Sequence, residues 1–181
     1  MNSNTEFTSF ELHRLGEAVL LAEELVNEFY KMSSSHWLKN RYDIKTAKDL
    51  APHEIIKGPF AQVLGYVAKK KNVCLESFSF NFYTICLQDK TILDFLEKNK
   101  DFGFFPFLVY ILVHELVHIV RFSKFEQRYS ASEMSDIVDR EEKKVHGLTQ
   151  KILKRVSIAG MDKIRKYYRQ SPENLNFDKV F

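Results

Sequence analysis

One of the most apolar stretches of the chain, FLVYILVHELVHIVRF from Phe107 to Phe122, carries His114, Glu115, His118 and Arg121. Burying such groups costs free energy unless each is paired or bound to something. On a helix of about 3.6 residues per turn, His114 and His118 stand one turn apart on the same face, where both imidazoles can reach one metal ion. Glu115 lies about 100° around the helix, near the position from which a carboxylate takes a proton from a water held by that ion. Zinc suits this HExxH geometry: imidazole is a good ligand for that borderline-soft ion, and three protein ligands leave a fourth position for water. The competing reading is two core histidines satisfied by hydrogen bonds. It must account for three ionisable groups together.

A third ligand is needed, and DREEKKVHGLT in the next helical segment offers candidates. With Val145 at the centre of the apolar stripe, Val138, Ile152 and Val156 lie within about 20° of it; Glu141 falls about 40° to one side, Glu142 about 60° to the other and His146 about 100° away beside Glu142. Arg121 projects from the metal face and has two uses. It can pair with whichever of Asp139, Glu141 or Glu142 is not on the metal, or grip a substrate carboxylate; pairing is favoured because a buried lone carboxylate is costly. Tyr110, one turn before His114, is placed to donate to an oxyanion, although a tyrosine there is more often simply core.

With these residues the chain resembles the HExxH metallopeptidases known as zincins, particularly the gluzincin branch, whose third ligand is a glutamate on a following helix. The resemblance covers about residues 105 to 155. It implies His114 and His118 as zinc ligands, Glu115 as general base and Glu142, with 23 residues between it and His118, as third ligand. His146 takes a position one turn later where the family more often has an acid, and Glu141 and His146 stay open as alternative ligands. The implied reaction is hydrolysis of a peptide or protein substrate, with His146, Arg121 or Tyr110 stabilising the oxyanion. Zincins also align substrate on an edge strand before the HExxH helix, a part expected here of the strand from Phe78 to Leu87. HELVHIVRFSKFEQ lacks the further histidine and glycine of the metzincin branch. In scale the chain is similar to cytoplasmic regulatory peptidases that act on repressors.

The elements that must position these residues follow from composition and periodicity. At 181 residues, with 16 Phe, 8 Tyr and few Gly or Pro, the chain is core-rich and suits one mainly helical domain. The expected fold is α+β, mainly α, over 1–181, with the metal core at about 105–155 and a basic helix and tail at 157–181. Thr8 and Glu11 have capping-box spacing before an apolar repeat through Leu15, Val19, Ala22, Val26 and Phe29. Pro52 is expected to open a second helix interrupted near Gly58 and Pro59. Period-two alternation in SFSFNFYTICL places Phe78, Phe80, Phe82, Thr84 and Cys86 on one strand face, with a partner strand from RYDI, KNVCL or FDKVF. Asp89 is expected to cap a short helix, Ser130 and Glu133 to start the ligand-bearing helix, and GMDKIRKYYRQ to form the last one.

Other function classes are less well served. Twenty-seven basic against 24 acidic side chains give no demand for a polyanion, so nucleic acid is not expected as a partner. The stretch from Lys151 to Gln170, basic though it is, reads as a solvated face without any nucleic-acid motif. Cys74 and Cys86 lack CxxC spacing and read as buried thiols. The apolar run from Phe104 to Val120 contains Pro106 and three ionisable groups, so a buried helix is preferred to a membrane span. The N-terminus lacks a secretory layout, which suggests the cytoplasm. Glu115 and His118 also form an ExxH pair, but a di-iron bundle needs a second one that neither Glu141 nor Glu142 provides. A non-catalytic metal-binding scaffold, with His146 as a fourth ligand, is the remaining alternative.

Overall fold

The computed structural model describes residues 5–33, 35–68, 80–124 and 134–170. The chain opens with helix α1 (Ser9–Tyr30), followed by a short helix α2 (Ser35–Lys39), strand β1 (Asn40–Lys45), a 3-10 turn (Pro52–Glu54), strands β2 (Ala61–Ala68) and β3 (Phe80–Leu87), and helices α3 (Asp89–Lys98), α4 (Phe104–Lys124), α5 (Met134–Leu153) and α6 (Met161–Gln170). This is the expected α+β fold with mainly helical content.

The Thr8 and Glu11 capping box forms as its spacing predicts. The Glu11 N–H donates to Thr8 Oγ1 at 3.3 Å and the Thr8 N–H donates to Glu11 Oε2 at 2.7 Å, satisfying two backbone donors that a helix start leaves over. The helix ends where Lys31 turns left-handed at φ 54°. Its buried stripe is Leu15, Ala18, Ala22 and Val26, small enough at its centre to bring the α1 backbone close against α4.

Three strands form one mixed sheet in the order β1-β3-β2, with β1 parallel and β2 antiparallel to β3. RYDI supplies β1, as expected among the candidates; KNVCL and FDKVF lie outside the described residues. The expected second helix after Pro52 is instead a single 3-10 turn followed by β2. Alternation explains the difference: Ala61 and Val63 are buried, Gln62 and Leu64 less so, and the segment gains a full ladder against β3 that an isolated helix broken at Gly58 and Pro59 could not offer. Gly65 sits opposite Tyr83, whose ring would lie 3.5 Å from any added Cβ.

β3 is the central strand, so the expectation that it serves as a substrate-aligning edge does not hold; among the described residues the edges are β1 and β2. Its face toward the hydrophobic core is the one opposite Phe82. Tyr83, Ile85 and Leu87 join the hydrophobic core, whereas Phe82 is 39% exposed beside Tyr66. Thr84 and Cys86 on that other face are nevertheless buried, and near Cys86 the Ala51–Ile56 segment is tied to the sheet: Lys45 Nζ donates to Glu54 at 2.7 Å, and Gln88 Nε2 donates to the Glu54 carbonyl at 3.0 Å. Cys86 is thus an ordinary buried thiol with its pKa pushed up to about 11 by burial. Cys74 lies outside the described residues.

Asp89 does not cap α3. It is the first helical residue, and its carboxylate accepts from the Phe7 N–H at 2.9 Å and the Ala47 N–H at 3.0 Å, tying the chain start and the loop after β1 to the end of the sheet. α4 then begins with Pro106 in its first turn, where a missing N–H costs nothing. By length and composition Phe104–Ser123 could cross a membrane, but 83% of its most apolar window is buried against α1, α5, α6 and the sheet. Ser130 and Glu133 lie outside the described residues; α6 forms where GMDKIRKYYRQ predicts it.

The seam between α1 and α4 tolerates little added volume. Ala22→Leu places extra methylenes where the alanine is fully buried, and overpacking of that kind costs about 1–3 kcal/mol. The expected result in urea is a lower unfolding midpoint with an unchanged slope; an unshifted midpoint would show that the seam is not tightly packed.

Candidate metal centre

Every residue of α4 from Pro106 to Val120 is buried, so its polar groups meet only what neighbouring helices bring to them. α5 brings Glu142. His114 Nε2 stands 2.9 Å from Glu142 Oε1, His118 Nε2 stands 3.2 Å from Oε2, and the two Nε2 atoms are 3.1 Å apart. Of the three candidates for third ligand, Glu142 is therefore the one that joins the histidines. Neither Glu141 nor His146 belongs to the group of three ligating residues whose donor atoms lie within 4.8 Å of one another.

Two physical states would satisfy this triangle. With no ion, either both imidazoles donate Nε2–H to the carboxylate, which sets two N–H groups 3.1 Å apart, or one imidazole donates to the other's Nε2. A cation satisfies all three atoms at once. Ligands about 2.05 Å from a tetrahedral zinc stand roughly 3.3 Å apart, close to the observed edges, and the donor set of two imidazoles and one carboxylate is one that zinc accepts. The residues present fit the ion.

The electrostatics favour the same forms. Burial pushes His114 down to about 4, with Glu142 only partly offsetting it, so this imidazole is neutral near pH 7. Burial alone would raise Glu142, but the facing imidazoles, His114 first, outweigh it and hold the carboxyl below the ordinary range. Neutral imidazole and ionised carboxylate are the ligating states. His118 is further oriented by Phe122, whose ring stacks on it at 5.8 Å between centroids and 18° between planes.

Glu115, beside His114 on the same helix turn, is 2% exposed. Arg121 meets Glu141: its Nε donates to Oε1 and its terminal Nη2 donates to Oε2 at 2.9 Å, the two-pronged pairing expected for the glutamate not engaged with the histidines. The clamp crosses from α4 to α5 next to Glu142 and so sets where that carboxylate sits. Tyr30, at the end of α1, lies near enough to feel both charges.

Tyr110 and His146 are brought together. Tyr110 is fully buried, its Oη is 3.2 Å from His146 Nδ1, and its ring stacks on Tyr168 of α6 at 4.8 Å and 16°. Gln150 Nε2 donates to the same Oη at 3.2 Å and to the Arg165 carbonyl at 3.3 Å. Sequence reasoning missed Gln150, Tyr168 and the buried Arg165. The signal was available in part: Tyr110 lies one turn before His114 and Gln150 one turn beyond His146, each on the face it shares with that histidine. No known protein family, curated protein or solved structure matches the chain.

The clamp is testable by a double-mutant cycle on Arg121→Ala and Glu141→Ala. Partly buried and bidentate, the pair should couple by roughly 0.5–3 kcal/mol in unfolding free energy, the double variant losing less stability than the two single losses added together. Strict additivity would mark the pair as solvated and without structural weight.

Proposed function

We propose that the chain is a zinc-dependent peptidase acting by metal-assisted hydrolysis. The observation that carries the reading is the meeting of His114 Nε2, His118 Nε2 and the Glu142 carboxylate in one triangle, with Glu115 beside it on the HExxH helix. When bound, zinc supplies a Lewis acid that polarises the scissile carbonyl and acidifies a water.

The chain's own residues do the rest. His114, His118 and Glu142 hold the ion, with His114 neutral and Glu142 ionised before it arrives. Glu115 accepts the proton of the attacking water and returns it to the leaving amine, the role a carboxylate one position after the first ligand serves on a helix. Its burial strengthens that proton transfer by excluding competing solvent. Arg121 and Glu141 keep α5 in register with α4. Among the four groups of the site, Glu142 is the most exposed, with 16% of its side chain open, and half-buried His146 lies one turn further along the same helix. Substrate would therefore approach over α5. A peptide or protein substrate in the cytoplasm is the class this chemistry serves.

Elemental analysis tests the ligand assignment. Purified wild type should hold close to one zinc per chain, His114→Ala and Glu142→Ala should lose it, and Glu115→Gln should keep it. Protein that stays metal-free after zinc is supplied would sink the reading and leave a hydrogen-bonded core cluster.

The base is tested separately, against a mixture of unstructured peptides. Glu115→Gln should lower hydrolysis by about 10²–10⁴-fold with zinc content unchanged. Undiminished cleavage by that variant would remove Glu115 from the reaction.

A further inference from the structure

Beside the ligand triangle lies a hydrogen-bonded chain that runs through three helices, from the Arg165 carbonyl in α6 to Gln150 in α5, then Tyr110 in α4, then back to His146 in α5. Chemistry fixes its direction at the α6 end. A backbone carbonyl only accepts, so the atom of Gln150 facing Arg165 is the amide nitrogen. That same nitrogen faces Tyr110 Oη and donates to it. A tyrosine oxygen that accepts from Gln150 still has its hydroxyl hydrogen to give, and His146 Nδ1 is an acceptor within reach at 3.2 Å. An imidazole whose Nδ1 accepts carries its proton on Nε2.

We infer that Tyr110 and Gln150 lock His146 as the Nε2–H tautomer, making it a neutral hydrogen-bond donor beside the metal group and excluding it as a ligand of the ion. A nitrogen that bears hydrogen has no lone pair to give a metal, and the other nitrogen is taken by Tyr110. The three ligating residues then leave one position open, as a hydrolytic site requires and a four-ligand structural site does not. Tyr110 is held for this task by its stack on Tyr168, which makes α6 part of the site's support. Burial keeps the hydroxyl protonated, since it pushes Tyr110 well above the ordinary tyrosine range, and burial likewise lowers His146 and favours the neutral ring.

The donor role rests on the peptidase reading; the tautomer does not. His146 is one helical turn from Glu142, and Glu142 and His114 both feel it electrostatically. A neutral N–H there can stabilise oxygen on which negative charge develops. Tyr110 and Gln150 act through His146 and are positioning residues.

The test is long-range proton–nitrogen NMR on the full chain, labelled with nitrogen-15, with and without zinc. His146 should show a proton-free Nδ1 and a protonated Nε2 in both states, and Tyr110→Phe should shift both nitrogen signals toward the average of the two tautomers. A protonated Nδ1 in the wild type, loss of the Nε2 proton when zinc binds, or unchanged signals in Tyr110→Phe would each overturn the lock. His146→Ala should retain full zinc, and its loss would make His146 a ligand after all. In the zinc-loaded enzyme, His146→Ala should lower kcat by about 10²–10³-fold with KM near wild type; an unchanged kcat would overturn the donor role. The nitrogen signals decide the tautomer whether or not the chain hydrolyses peptides, so failure of the peptidase reading and failure of the lock leave different records.

Discussion

A helix buried on every side can carry polar groups only where a neighbour answers them, and α4 is such a helix. Its apolar residues bind it to α1, α5, α6 and the sheet, and that burial removes water as a partner for His114, Glu115 and His118. The position of α5 is therefore constrained to within a fraction of a turn. Glu142 must reach both imidazoles while Glu141, the next residue, reaches Arg121. One helix thus presents two adjacent carboxylates to two different cationic or proton-donating partners, about 100° apart around its axis.

The rest of the fold serves that constraint by fixing α4 from behind. Ala18 and Ala22 let α1 lie close along it, and the core face of the sheet, Tyr83, Ile85 and Leu87 on β3 with Val63 on β2, fills the other flank. At its N-terminal end Phe107 stacks on Phe95 and meets Phe60 edge-on, so the helix is gripped by aromatic contacts far from the polar group. Close packing of this kind resists small displacements. Such rigidity is what a preorganised set of ligands needs.

Much of the site could be read in the sequence because it is written in helical period. The one-turn spacing of His114 and His118, the core-flanking positions of Glu141 and Glu142, and the projection of Arg121 all follow from 3.6 residues per turn. β2 could not be read in the same way: AQVLGYVA has an apolar content that either period accommodates, and its ladder partner lies beyond it in sequence. On β3 alternation separates the two faces, but residue type does not say which one the core covers; it covers that of Tyr83, Ile85 and Leu87. Asp89 was assigned to a local cap, whereas its carboxylate serves two backbone donors 82 and 42 residues away. The Tyr110–His146 contact joins two helices and depends on their mutual height, which periodicity leaves undetermined.

The mixed sheet also implies an order of assembly. β2 meets β3 in a ladder that closes at Ala68 and Phe80, 12 positions apart, while β1 pairs in parallel with residues 41 positions ahead of it, Asn40 with Asn81. On loop-closure entropy alone the second pairing costs about 1 kcal/mol more than the first, which favours a β2–β3 hairpin that forms early and receives β1 afterwards. Until then the other side of β3, an apolar strand with open backbone donors and acceptors, is the part of the chain best able to pair with another copy of itself. The N-terminal unit of α1, α2 and β1 therefore covers that side of β3 as well as backing α4, and its docking guards the folding chain against aggregation.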